Sequence, residues 1–276
     1  MTQLGELVNY AFFQRAILAV ILSGFACGFL GVWVFLLKIS FLTVAISHAA
    51  LAGGLLAICL HQPVVPVAMA FSIVTAGVLG PLSERGRLHP ETSIGVIFST
   101  TLGLAFLVMG MVPEARTQGL SLLWGSFLTV EKGDLLILAV TAAITCLVAS
   151  GCFKEIQAVL FNQELAKAVG IPAGIFFFLV LFLSGVGVTA CLKSIGGLLV
   201  FSLILNPAAA AYQLTYSLKK MYVFSCLFSI FSGLAGLGLA SLARWPAGAS
   251  VVMVSSGVFF LCLIFSPKRQ RKKRYV

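Results

Sequence analysis

Charge is what this chain has least of: only 9% of its 276 residues are Asp, Glu, Lys or Arg, against 60% that are hydrophobic. That is too little polar surface to cover a water-soluble domain of this length. The shortage is greatest for acid. The carboxylates Glu6, Glu84, Glu91, Glu114, Glu131, Asp134, Glu155 and Glu164 all fall in loops or at the ends of apolar runs. Carriers driven by protons or sodium generally hold a mid-membrane carboxylate or a broken-helix ion site, so self-powered transport is disfavoured. A GxxxxGK[ST] phosphate loop is also missing, which removes ATP hydrolysis by that route. Uphill movement of a solute would therefore need a partner to supply the energy. Cys27, Cys59, Cys146, Cys152, Cys191, Cys226 and Cys262 show no CxxC spacing and lie within or at the ends of apolar runs, which reads as small buried hydrophobes.

What the chain has in plenty is apolar sequence. Runs separated by Pro, Gly and charge predict spans at about 16–37, 44–60, 63–81, 92–112, 134–152, 173–192, 195–213, 221–241 and 248–266. The expectation is an all-α polytopic transmembrane bundle of about nine spans, forming one domain over 1–276, because the loops are short and lack Ser/Gly linkers. A net charge of +10 could suggest nucleic acid, but Lys268, Arg269, Arg271, Lys272, Lys273 and Arg274 form one run after the last span. No nucleic-acid partner is expected. The 267–276 tail reads as a positive-inside anchor in the cytoplasm that touches anionic lipid headgroups. Counting back from it places Lys219, Lys220, the 153–172 segment, Arg85, Arg87 and Lys38 on the same side, and the N-terminus, the 113–133 loop and Arg244 outside. Glu6 before the first apolar run, with no basic stretch, argues against a cleaved signal peptide.

A few residues stand out from this background. His48 is the one ionisable side chain other than cysteine well inside a predicted span, and its imidazole should face the bundle interior or a watered path. It reads either as a packed histidine bonded to a backbone carbonyl or as a ligand for a transition metal. Ala49/Gly53 and Ala50/Gly54 are small-xxx-small pairs that allow close helix approach. Leu120–Val130, apolar with Gly125 in the middle, predicts a re-entrant or interfacial turn. In the 153–172 segment, Asn162 suits an N-cap, Glu164 the first turn, and Gly170 with Pro172 the end of a short amphipathic helix, serving either as a linker or as a docking element. Asn206–Pro207 inside a span predicts a packing kink or a polar point on a path, while Met109 and Met111 at a span end read as packing residues.

The order of these pieces resembles the permease subunit of bacterial ATP-binding-cassette importers for zinc, manganese and ferrous iron. The likeness runs over roughly 16–265. It rests on Ser47–His48–Ala49, Glu91–Thr92–Ser93–Ile94–Gly95, Leu123–Trp124–Gly125–Ser126, Glu164-x-Ala166-x-x-x-Gly170, Gly196–Gly197–Leu198–Leu199 through Asn206–Pro207–Ala208, and Pro246–Ala247–Gly248.

The resemblance implies a multi-pass protein of the bacterial inner membrane that is not itself an enzyme. Its implied partners are cytoplasmic ABC ATPase subunits, an extracytoplasmic metal-binding protein and a second permease, identical or related. No permanently bound cofactor is implied, only the divalent metal ion in transit. Glu164, Ala166 and Gly170 would belong to the helix that seats in the ATPase, His48 would help ligate the ion, and Ser47 and Asn206 are path candidates. The family usually carries an aspartate one turn before the histidine, so that both share a face and hold the ion together. Here that position is Val44. The chain is then half of a heterodimer whose partner brings the full pair, or it uses His48 alone with weaker, transient binding. A permease for another small solute, such as a metal chelate, is the alternative. An intramembrane hydrolase is disfavoured, because adjacent Ser47 and His48 lie about 100° apart on a helix and cannot form a dyad.

Overall fold

In hydrocarbon every backbone amide must find its partner within the protein, and a long apolar run does so by coiling into a helix. The computed structural model describes residues 10–85, 90–125, 130–243 and 245–268. Glu6, Arg87, Ser126, Arg244 and the basic tail beyond Lys268 lie outside the described residues, as do the side chains of Glu84, Arg85 and Leu198.

The described helices run in order as α1 (Ala11–Leu36), α2 (Ser40–Cys59), α3 (Val64–Arg85), α4 (Pro90–Met111), α5 (Pro113–Trp124), α6 (Lys132–Gly151), α7 (Phe153–Phe161), α8 (Gln163–Ala168), α9 (Ala173–Ile195), α10 (Gly197–Leu214), α11 (Leu218–Ala243) and α12 (Ala247–Ile264). Each of the nine predicted spans coincides with one of them. Seven are long and apolar enough, by length and composition, to cross a membrane, and α3 and α10 are apolar over Val64–Leu79 and Leu199–Leu214 of their described residues.

The bundle is built around α2. Its apolar window is 78% buried, against 22% for α4 and 28% for α6 and α12, so α2 has almost no lipid-facing side. It packs on α3, α4, α5, α9 and α10, while α1 packs on α6, α9, α10 and α11. Small residues allow the closest of these approaches. Gly24, Gly28 and Gly31 share one face of α1, and a Cβ at Gly28 would lie 2.7 Å from the Cα of Cys226 on α11. There the backbones themselves touch, and Ser225 Oγ donates across the seam to the Gly28 carbonyl at 2.6 Å. The predicted small pairs on α2 act in the same way. A Cβ at Gly53 would lie 2.7 Å from the Cβ of Phe71 on α3.

Of the Leu120–Val130 expectation, residues 126–129 lie outside the described residues; Leu120–Trp124 forms the end of helix α5, which starts at Pro113 and stops at Gly125. Proline at the first helical position with Glu114 in the first turn starts the helix. Ala115, Gly119 and Leu122 bury one side of it against α2 and α4, where Met109 packs in the same cluster and Met111 is exposed.

Candidate functional site

His48 sits on α2 where the bundle is densest, and its side chain is 7% exposed. Its Nδ1 lies 2.9 Å from the Val44 carbonyl one turn earlier. A carbonyl only accepts, so Nδ1 carries a proton, and in the neutral ring Nε2 keeps the lone pair. Histidines that bind metal are held in this way, with one nitrogen donating to a backbone oxygen and the other free to ligate. The ring also stands edge-on to Phe98 of α4, with centroids 4.9 Å apart, and Phe98 in turn meets Phe41 of α2 at 5.3 Å. Phe41 lines a cavity of about 570 Å³ at the Ser40 end of α2, with Lys38 and Glu91 also on its wall. The aromatic pair thus links His48 to a cavity edged by one carboxylate and one ammonium.

The remaining path candidates are arranged differently. Ser47 Oγ donates to the Thr43 carbonyl at 2.7 Å, and Ser47 neighbours Gly197 at the start of α10. Asn206 is nine residues further along α10, about 14 Å by helical rise. The amide Nδ2 of Asn206 lies 3.1 Å from each of Ser202, Ser255 and Ser256 Oγ, and Ser202 and Ser255 are 2.8 Å apart. These bonds join α10 to α12 and do not bring Asn206 to His48. Pro207 has no N–H, which frees the carbonyl of Leu203 four residues back. Ser229 Oγ of α11 donates to that carbonyl at 3.2 Å, which satisfies it across the α10–α11 seam. Among the described residues, no three His, Cys, Asp or Glu side chains gather as a metal-holding group.

On the face where α7 and α8 lie, the short-helix expectation holds at both ends. Asn162 caps α8, its Oδ1 accepting from the N–H groups of Glu164 at 2.9 Å and Leu165 at 3.1 Å. The helix closes at Ala168, and Gly170 follows with φ +84°. The N–H of Gly170 bonds to the Lys167 carbonyl and that of Ile171 to the Ala166 carbonyl, each at 3.0 Å. This is the Schellman closure, whose left-handed residue favours glycine. Ala166 is buried against Val159 and Ala173, so it holds α8 to the bundle. The outward side carries the Glu164–Lys167 ion pair and the exposed apolar residues Leu165 and Val169, with Phe161 beside them. Sequence reasoning passed over these three. Their signal was three large apolar side chains at four-residue spacing outside any span.

At the opposite ends of the helices, the Leu123–Trp124–Gly125 and Gly196–Gly197 motifs meet. Gly125 and Gly196 have φ +65° and +94°, and a Cβ on Gly196 would lie 2.4 Å from the Gly125 nitrogen. Only glycine fits at either position. Beside them Lys193 Nζ pairs with Asp134 at 3.0 Å, and Asp134 and Glu131 close the capping box that starts α6.

Comparison with known proteins agrees with this architecture. A profile described as the ABC 3 transport family matches residues 9–266. The manganese transport system membrane protein MntC of Halalkalibacterium halodurans is 30% identical over 98% of this chain and 92% of its own length. The chelated iron transport system membrane protein YfeD of Yersinia pestis is 28% identical over 98% of this chain and 91% of its own. Among solved structures, PsaBC from Streptococcus pneumoniae in complex with Fab superposes with a TM-score of 0.89 at 26% identity, covering 99% of this chain and 100% of that one.

Proposed function

This chain belongs to the ABC 3 transport family, and from that premise we propose that it carries a divalent first-row metal ion past His48 while its α8 takes up the stroke of an ATPase. It is the membrane permease of an ABC importer for manganese, zinc or iron, and ATP hydrolysis lies in a separate subunit. The finer reading concerns how these residues act.

The observation that carries it is the state of His48: buried, with Nδ1 tied to the Val44 carbonyl and Nε2 free. Neutral imidazole in this form is a good ligand for Zn and Fe, while Mn favours oxygen donors beside it. One imidazole cannot balance a divalent charge, and Val44 adds no oxygen from its side chain. The other ligands come from a second permease placed against this one, identical or related, so that the ion crosses between two chains. Binding by few ligands also keeps release fast, as conduction requires. The Phe41–Phe98 contact then lies on the way from His48 to the cavity that Glu91 edges.

The face bearing α7 and α8 is the cytoplasmic one in this reading, with the N-terminus outside. Leu165 and Val169 enter a groove of the ATPase, and Glu164 lies at its rim. An extracytoplasmic metal-binding protein delivers the ion near the α5–α9 glycine contact. The transported ion is cargo, and no resident cofactor is assigned.

Uptake tests the proposal. Cells lacking this chain and cells restored with it are given radiolabelled Mn, Zn and Fe(II), free or chelated. Faster uptake of a free ion in restored cells supports the reading. Uptake of the chelate alone would favour a chelate permease, for which the missing carboxylate at Val44 and the likeness to the chelated iron protein speak. No difference for any of them would end the proposal.

A further inference from the structure

On the face that carries α7 and α8, the ends of α1, α10 and α11 surround a cavity of about 840 Å³. That size falls in the range of about 300–1,000 Å³ usual for small-molecule sites. Its lining mixes apolar side chains, Leu36, Leu160 and Met221, with the polar and basic Lys154, Lys268, Gln157 and Ser217. No described carboxylate lines it. Lys154 and Lys268 form no ion pair with any described residue.

Lys268 follows directly on the last span. Its Nζ lies 3.4 Å from the centre of the Tyr212 ring and 4.9 Å from that of Tyr216, a position that holds the ammonium at the cavity without neutralising it. Burial lowers its pKa from the ordinary lysine value, and an anion set beside it would relieve that cost. Lys219 and Lys220 open α11 next to the cavity, adding positive charge at a helix N-terminus, where the helix dipole favours anions as well.

We propose that this cavity binds one anionic phospholipid, with its headgroup phosphate between Lys154 and Lys268 and the first acyl methylenes along Leu36 and Met221. Basic pockets between helix ends at a membrane face take acidic headgroups in this way. The apolar part of the lining selects a lipid over a soluble phosphate, because a free phosphate would leave Leu36, Leu160 and Met221 without a partner. A recess between helix ends also suits a headgroup better than a second protein, for which the exposed Leu165 and Val169 at α8 are the natural contact. The proposal rests only on membrane placement and is independent of the metal path.

The test uses the full-length chain, purified in mild detergent and examined by native mass spectrometry with short-chain phosphatidylglycerol, short-chain phosphatidylcholine or glycerol 3-phosphate. Phosphatidylglycerol should be retained over phosphatidylcholine. Lys154→Gln with Lys268→Gln should weaken its retention about 25-fold, about fivefold per lysine at an anionic surface. The paired arginine variants Lys154→Arg and Lys268→Arg should keep it, which separates loss of charge from loss of fold. Lys132→Gln, at the start of α6 on the opposite face, should change nothing. Equal retention of both lipids, or retention of phosphatidylglycerol in the double glutamine variant, overturns the proposal. Glycerol 3-phosphate binding as tightly as the lipid would make this a soluble-phosphate site and overturn the lipid assignment. Loss of ATPase association with lipid retention unchanged would make it a protein contact.

Discussion

Replacing Gly170 by valine should leave the spans in the membrane and yet stop transport. The reason is conformational rather than steric, since a Cβ at Gly170 would meet nothing within 4 Å. Its φ of +84° is the difficulty. An L-residue in the left-handed region costs roughly 1–2 kcal/mol, and a β-branched one sits at the top of that range. About 2 kcal/mol lowers the closed-to-open ratio of the turn by a factor of about 30. The six-residue α8 is held at this end by the Gly170 and Ile171 amides, so opening the turn releases Val169 and reorients Leu165. Gly170→Asn should lose much less, because asparagine tolerates the left-handed region. The assay compares Gly170→Val, Gly170→Asn and parent for membrane level, ATPase recovered on a tagged permease, and uptake of labelled metal. The expected order is parent, then asparagine, then valine, at equal membrane level. Valine uptake within about twofold of parent would refute the reasoning, because a penalty of this size cannot be hidden if α8 transmits the stroke.

Other outcomes follow from the same structure. His48→Ala should abolish most uptake, and because it also removes a buried ring packed on Phe98 it should lower the melting temperature of the purified chain as well; uptake kept per folded molecule would return His48 to a packing role. Gly28→Val must push α1 away from Cys226 and should cost about 1–3 kcal/mol or more, read as a lower thermal midpoint in detergent. Asn206→Leu should destabilise the α10–α12 seam by about 1–3 kcal/mol through its orphaned serines, with metal selectivity unchanged if the residue is structural; altered selectivity would place it on the path.

The spans were legible because lipid leaves the backbone no choice but to coil, and runs of Leu, Val and Phe mark where. Both ends of α8 were legible because Asn162 and Gly170 act within a few residues of themselves. The start of α5 was legible in principle from Pro113 and Glu114, but its polar first turns masked the apolar face formed by Ala115, Gly119 and Leu122. The partners of Asn206 and of the Leu203 carbonyl could not be read, because serines 202, 229, 255 and 256 become neighbours only when α10, α11 and α12 pack. His48 was legible in part, since a bond to a backbone carbonyl was one of its two expected readings. The sequence marked it as costly, but only the fold shows that its Nδ1 is already engaged and which nitrogen remains.

The contact between Gly125 and Gly196 has a mechanical meaning. Helix α9 begins three residues after Gly170 and ends against Gly125, a rod of 23 residues and about 35 Å. With no side chain at either glycine to absorb a displacement, the joint between α9 and α5 has no slack. If α8 takes up the stroke as proposed, a push on it at one end of the bundle should arrive at α5 at the other as movement rather than as local repacking, with α9 as the connecting rod.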